Sequence, residues 1–101
     1  MIGNDVTLGH GAIVHACSIH DFSLIGMGAI ILDNARINSY TLVAAGALVL
    51  NDTVVPEGVL VAGVPAKVVR PLTRDERTML EESAQHYVDL MKTYREPTPK
   101  R

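Results

Sequence analysis

The chain has 101 residues, 48% of them hydrophobic and 20% charged, with a formal net charge of −2. It can form one core and no second domain. One Phe, three Tyr, no Trp and no basic excess leave no footprint for nucleic acid, one cysteine precludes an intrachain disulfide, and neither a bilayer-spanning run nor a signal peptide is apparent, so a cytoplasmic setting is expected.

An aliphatic residue recurs every sixth position through the first two-thirds of the chain: Ile2, Leu8 and Val14, then Ile19, Ile25, Ile31, Ile37, Val43, Val49, Val55 and Val61. Four residues after most of them stands something small or β-branched: Val6, Ala12, Ser23, Ala29, Ala35, Thr41, Ala47, Thr53, Val59. Period six fits neither an α-helix nor an alternating strand. It predicts a hexapeptide-repeat parallel β-helix over 1–66, in which one position points into a core and the other fits a tight corner. Eleven hexads, three to a coil, give between three and four coils, near the minimum for a stack in which each coil buries its neighbour. The register slips once, because Val14 and Ile19 are five residues apart, and that short hexad holds His15 and Cys17.

Pro65 and Pro71 break the hexad phase, so the chain leaves the stack as an extended connector over 67–72. A helix is predicted over 73–95. Thr73 with Glu76 three residues later makes a capping box, and Asp75 and Glu76 place negative charge on the first turn. Leu80, Ala84, Tyr87, Met91 and Tyr94 form an apolar stripe that docks on the β-helix flank or on a neighbouring subunit. Residues 96–101 are expected to be a flexible tail.

Function must come from polar residues that the hexads do not require. Of four histidines, His10 and His15 flank a strand, His20 follows Ile19 and is expected to be exposed, and His86 lies on the predicted helix. Successive hexads occupy different faces of a three-sided prism, so His10 and His15 need not meet within one chain. Between prisms packed side by side, corner imidazoles can meet and bind zinc well; solvated corner histidines are the alternative. The thin prism with apolar flanks predicts a homotrimer, and the open aliphatic end at Ile2 and Leu8 predicts end-to-end stacking into a hexamer.

Two stretches carry a resemblance: Ile2 through Cys17, which contains Gly9-His10-Gly11 and His15-Ala16-Cys17, and Ile25-Gly26-Met27-Gly28-Ala29. With Ala62 through Arg70, and Ser83-Ala84 and Tyr87 on the helix, they resemble the C-terminal part of the γ-class carbonic anhydrase family. The Gly63-Val64-Pro65-Ala66-Lys67 exit is shared with hexapeptide acyltransferases, and the His10/His15 setting favours the carbonic anhydrase branch.

The resemblance implies a mainly β fold: a left-handed β-helix followed by one C-terminal helix, assembled as a trimer with zinc at each subunit interface. His10 and His15 correspond to ligands contributed by different subunits. The family's third histidine, and its residues for proton transfer, lie upstream of the segment beginning at Ile2. The implied activity is reversible hydration of carbon dioxide to bicarbonate at zinc, impaired where the third ligand is absent. Iron or cobalt suits the same donors. Water, Asp21 or Cys17 are the substitutes for the missing ligand, although Cys17 is expected to pack as an apolar residue. Two other readings stand beside this one. In an acyl-coenzyme A-dependent transferase, His10 or His15 would be the general base; in a non-catalytic scaffold, the coils would only mediate assembly.

Overall fold

The computed structural model describes residues 1–83. Nine two-residue strands lie on the hexads: β1 (Thr7–Leu8), β2 (Ile13–Val14), β3 (Ser18–Ile19), β4 (Leu24–Ile25), β5 (Ile30–Ile31), β6 (Arg36–Ile37), β7 (Leu42–Val43), β8 (Leu48–Val49) and β9 (Val54–Val55). Two longer strands, β10 (Val59–Ala62) and β11 (Lys67–Pro71), follow. Every third strand pairs in parallel, giving three sheets that are the faces of a prism: β1-β4-β7-β10, β2-β5-β8 and β3-β6-β9, with β11 added to the first. The result is a left-handed parallel β-helix of about three turns with a C-terminal helix, as the hexads and the resemblance predict.

The register reports the short hexad. Thr7 pairs with Leu24, seventeen residues on, and Ile13 with Ile30, but Leu24 pairs with Leu42 and Ser18 with Arg36, eighteen residues on. The missing residue is absorbed at the corner between β2 and β3. Cys17 fills the small-residue position there, 5% exposed, just as Ser23, Ala29 and Ala35 fill it in later hexads.

Packing follows the sequence pattern closely. Ile19, Ile25, Ile31, Ile37 and Val43 are fully buried, and Ser23, Ala29, Thr41 and Ala47 sit beside them. Each buried aliphatic side chain contributes roughly 1.5–3 kcal/mol. The two interior hydroxyls are satisfied: Ser23 donates to the Asn38 carbonyl at 2.9 Å, and Thr41 to the same carbonyl at 2.7 Å. In the first coil the column is open, with Ile2 and Leu8 still 45% and 47% exposed.

Corners require a left-handed residue, three positions after the core aliphatic in the full hexads and two after Val14 in the short one, where Ala16 supplies it. Glycine supplies it at Gly11, Gly28, Gly46 and Gly58, but Asp5, Phe22, Asn34, Tyr40 and Asp52 also adopt positive φ. Asn and Asp tolerate that region through local hydrogen bonding. Phe22 and Tyr40 do not have that recourse; they occupy the same corner one coil apart and stack with ring centroids 5.2 Å apart.

At the far end, the expected connector is a paired strand. Lys67–Pro71 turns back antiparallel along β10, with Val59 opposite Pro71 and Ala62 opposite Lys67. The intervening turn caps β8, since Leu48 N–H donates to the Gly63 carbonyl at 3.0 Å and Ala66 N–H to the Leu48 carbonyl at 2.8 Å. Edge groups that would otherwise be unpaired are thereby satisfied.

Helix α1 (74–83 within the described residues) then begins on the predicted capping box. Glu76 N–H donates to Thr73 Oγ1 at 3.1 Å, and Thr73 N–H to Glu76 Oε1 at 2.8 Å. A bidentate pair with Arg70 holds the Glu76 carboxyl well below its ordinary value, at about 2. Leu80, the first residue of the predicted stripe, is buried; Ala84, Tyr87, Met91, Tyr94, His86 and the tail lie outside the described residues.

Candidate functional site

Which faces of the prism are apolar decides where a partner can sit. Strand alternation turns one residue of each pair outward. On the first sheet these are Thr7, Leu24, Leu42 and Leu60; on the second, Ile13, Ile30 and Leu48; on the third, Ser18, Arg36 and Val54. The second sheet is wholly apolar outside, and Ile13 is 49% exposed. Helix α1 lies at the corner joining the third sheet to the first, where Arg77 and Glu81 meet Tyr40.

His10 and His15 stand at the two ends of β2 on this apolar face. His10 occupies the corner between β1 and β2 and is exposed. Its flanking glycines have separate reasons: Gly11 has φ of +73°, and a Cβ on Gly9 would lie 2.7 Å from the Met27 backbone nitrogen. The His10 carbonyl accepts from Gly28 N–H at 2.9 Å, so the corner that carries the imidazole is tied to the coil below.

His15 occupies the shortened corner between β2 and β3, exposed, with its Nδ1 3.1 Å from Asp33 Oδ1. Asp33 lies at the same corner one coil further on. An ionised carboxylate only accepts hydrogen bonds, so the donor in this contact is Nδ1–H. Together with Leu32 and Asn51, the pair lines a shallow groove of about 330 Å³.

The remaining candidates lie elsewhere. His20 and Asp21 sit on the third corner, between β3 and β4, where Asp21 Oδ1 accepts from Asn4 N–H at 2.8 Å. His20 is half-buried rather than exposed as expected, and its Nε2 is buried without a hydrogen-bond partner. Cys17 is a free, buried thiol in the core, and burial pushes its pKa up, which disfavours the thiolate that metals bind.

Among the described residues, no group of three or more His, Cys, Asp or Glu side chains comes together to hold a metal within one chain. The structure thus separates His10 from His15 by a strand and brings His15 to Asp33. Sequence reading missed Asp33: the coil offset at the end of β2 is seventeen, as for Val14 and Ile31, which leads from His15 to Leu32, and Asp33 lies one residue beyond at the same corner.

No family model matches the chain. Comparison with curated proteins gives 52% identity over 93 residues with "Probable carbonic anhydrase" of Methanocaldococcus jannaschii, covering 92% of this chain and 58% of that protein. "Gamma carbonic anhydrase 2, mitochondrial" of Arabidopsis thaliana is 38% identical over 90 residues, covering 89% of this chain and 32% of that protein. Among solved structures, a Bacillus cereus protein assigned to the acetyltransferases superposes with a TM-score of 0.87 at 38% identity, covering 92% of this chain and 60% of that one. The chain spans between about a third and three-fifths of the length of these relatives. Over the segment it spans, the chain resembles γ carbonic anhydrases, at 38–52% identity, and its structural neighbours are hexapeptide-repeat proteins.

Proposed function

We propose that this chain is a metal-binding γ-carbonic-anhydrase-like protein whose site forms between subunits of a homotrimer, with His10 from one subunit and His15 from its neighbour as ligands. The observation that supports it is the placement of two exposed imidazoles at opposite ends of the apolar β2-β5-β8 face. Neither histidine serves the coil stack, and both flank a surface whose burial needs another prism. Their separation within one chain is what a shared site requires.

The donor set suits zinc, which is bound well by neutral imidazole nitrogens, and accommodates iron or cobalt. Zinc held there would supply Lewis-acid activation of water toward carbon dioxide, yielding bicarbonate. The chain's own contributions are separate from that chemistry. The Gly9-His10-Gly11 corner presents one imidazole at a fixed height, Asp33 accepts a hydrogen bond from Nδ1–H of the other, and Ile13 and Ile30 provide apolar surface between them. No helix among the described residues is long and apolar enough to cross a membrane, and the reduced Cys17 fits a cytoplasmic setting.

Metal analysis of protein purified without chelator, paired with a carbon dioxide hydration assay, tests this reading. Near-stoichiometric zinc, iron or cobalt per chain supports it; a folded trimer that takes up none of them refutes it. The second reading, an acyl-coenzyme A-dependent transferase, is favoured by the likeness to the acetyltransferase-assigned Bacillus cereus structure and by the groove beside His15. In it, His15 or His10 would draw a proton from an acceptor hydroxyl or amine. Protection against thermal unfolding by coenzyme A, without metal uptake, would select it.

A further inference from the structure

The His15–Asp33 pair has little to contribute to stability. Both side chains are about two-thirds exposed, at 68% and 65%, and ion pairs of that kind add little or nothing measurable. Asp33 is nevertheless held firmly. Its carbonyl accepts from Asp52 N–H at 3.1 Å, the next residue, Asn34, donates its N–H to the Ala16 carbonyl at 2.9 Å, and the Asn34 side chain donates to Asp52 Oδ1 at 2.7 Å. The carboxylate therefore projects from a corner fixed to the coils on both sides. The coil above it is the shortened one, with Ala16 making the turn at φ of +35°. One residue fewer at that corner brings the His15 ring over Asp33.

Resting on the metal-site reading above, we infer that Asp33 is a positioning residue for His15: it fixes the imidazole as the Nδ1–H tautomer and aims Nε2 away from its own prism, toward the ligand shared with the neighbouring subunit. An exposed neutral histidine otherwise favours the opposite tautomer, with the proton on Nε2 and that nitrogen unable to ligate. A carboxylate accepting from the non-ligating nitrogen fixes tautomer and ring direction and raises basicity at the ligating one, and losing such a partner typically lowers metal affinity about 10–100-fold. The five-residue hexad thus has a use: it seats the ligand over its orienting group.

The test uses the full chain, with two readouts. Long-range proton–nitrogen correlation spectra of the metal-free protein report the His15 tautomer, and chelator competition reports zinc affinity. Asp33→Ala should move His15 toward the Nε2–H form and weaken zinc about 10–100-fold, with the thermal unfolding midpoint unchanged. Asp33→Asn retains an acceptor oxygen and should recover most of both. Zinc binding by the unmodified chain that is indifferent to Asp33→Ala overturns this inference alone. No zinc binding by the unmodified chain overturns the metal-site reading and this inference with it.

Discussion

Gly58 leaves room for Arg77: a Cβ at position 58 would lie 2.2 Å from Arg77 Nη2, and the guanidinium carbon sits 5.0 Å from the Tyr40 ring centroid. Phe22, Tyr40 and Arg77 thereby continue one column down the corner between the third and first sheets. In the last coil a side chain from the helix takes the place that the β-helix leaves empty. Tyr40 also donates its hydroxyl to Glu81, so one corner residue binds two successive turns of α1. That hydrogen bond raises the Tyr40 pKa.

Gly58→Ala tests this column. Arg77 can swing aside, so the main cost is a left-handed φ of +73° imposed on a residue with a Cβ, about 1–2 kcal/mol. Displacing the guanidinium adds the loss of a cation–π contact, roughly 0.5–1 kcal/mol at an exposed site. Chemical unfolding should show that the second part disappears when Gly58→Ala is made on an Arg77→Ala background. Full additivity of the two substitutions would mean that Arg77 does not occupy the column.

The capping box gives a second expectation. Thr73→Ala removes the acceptor for Glu76 N–H and should cost about 1 kcal/mol of helix docking. Glu76 has a folded-state pKa lowered to about 2 by Arg70, from an ordinary value of 4.5. Because it is lowered, its contribution is present above pH 4.5 and fades as pH falls toward 2. Helical circular dichroism followed across that window should lose a step in the unmodified chain that is missing in Glu76→Gln.

How much of this was legible in the sequence depended on whether a residue answers to its own hexad or to the coil below. Ile19, Ile25 and Ile31 are buried as the period dictates, and the capping box needs only residues three apart. The antiparallel pairing of Lys67–Pro71 with Val59–Ala62 was hidden, because two prolines signal an exit from the repeat but not the direction in which the chain turns. His20 is expected to be exposed from its own hexad, yet its Nε2 is buried. Asp33 was missed for the same reason. Contacts between coils depend on an offset that one short hexad changes from eighteen to seventeen.

The core makes a quantitative claim. Ile31 is fully buried in the middle of the stack, and Ile31→Ala should cost about 2–5 kcal/mol. Arg36→Ala, on the exposed side of the third sheet, should fall within about 0.5 kcal/mol of the unmodified chain. Equal effects at the two positions would contradict the inward and outward assignment.

Assembly through the apolar second sheet is checked with Ile30→Lys. A charge at the centre of that face should reduce the expected trimer to monomers or aggregates in sedimentation velocity. A trimer that survives the substitution would place the interface on another face.

The central claim is that His10 and His15 ligate from different chains, and mixing two defective variants tests it most directly. His10→Ala and His15→Ala should each lose most bound zinc while the coils stay folded. Unfolded and refolded together in equal amounts, they assemble at random into trimers, and over pure and mixed trimers together about one interface in four receives an intact His10 from one chain and an intact His15 from its neighbour. Recovery of about a quarter of the unmodified zinc content is the predicted result. No recovery in trimers shown to be mixed, or full zinc content in either variant alone, would contradict a site shared between subunits.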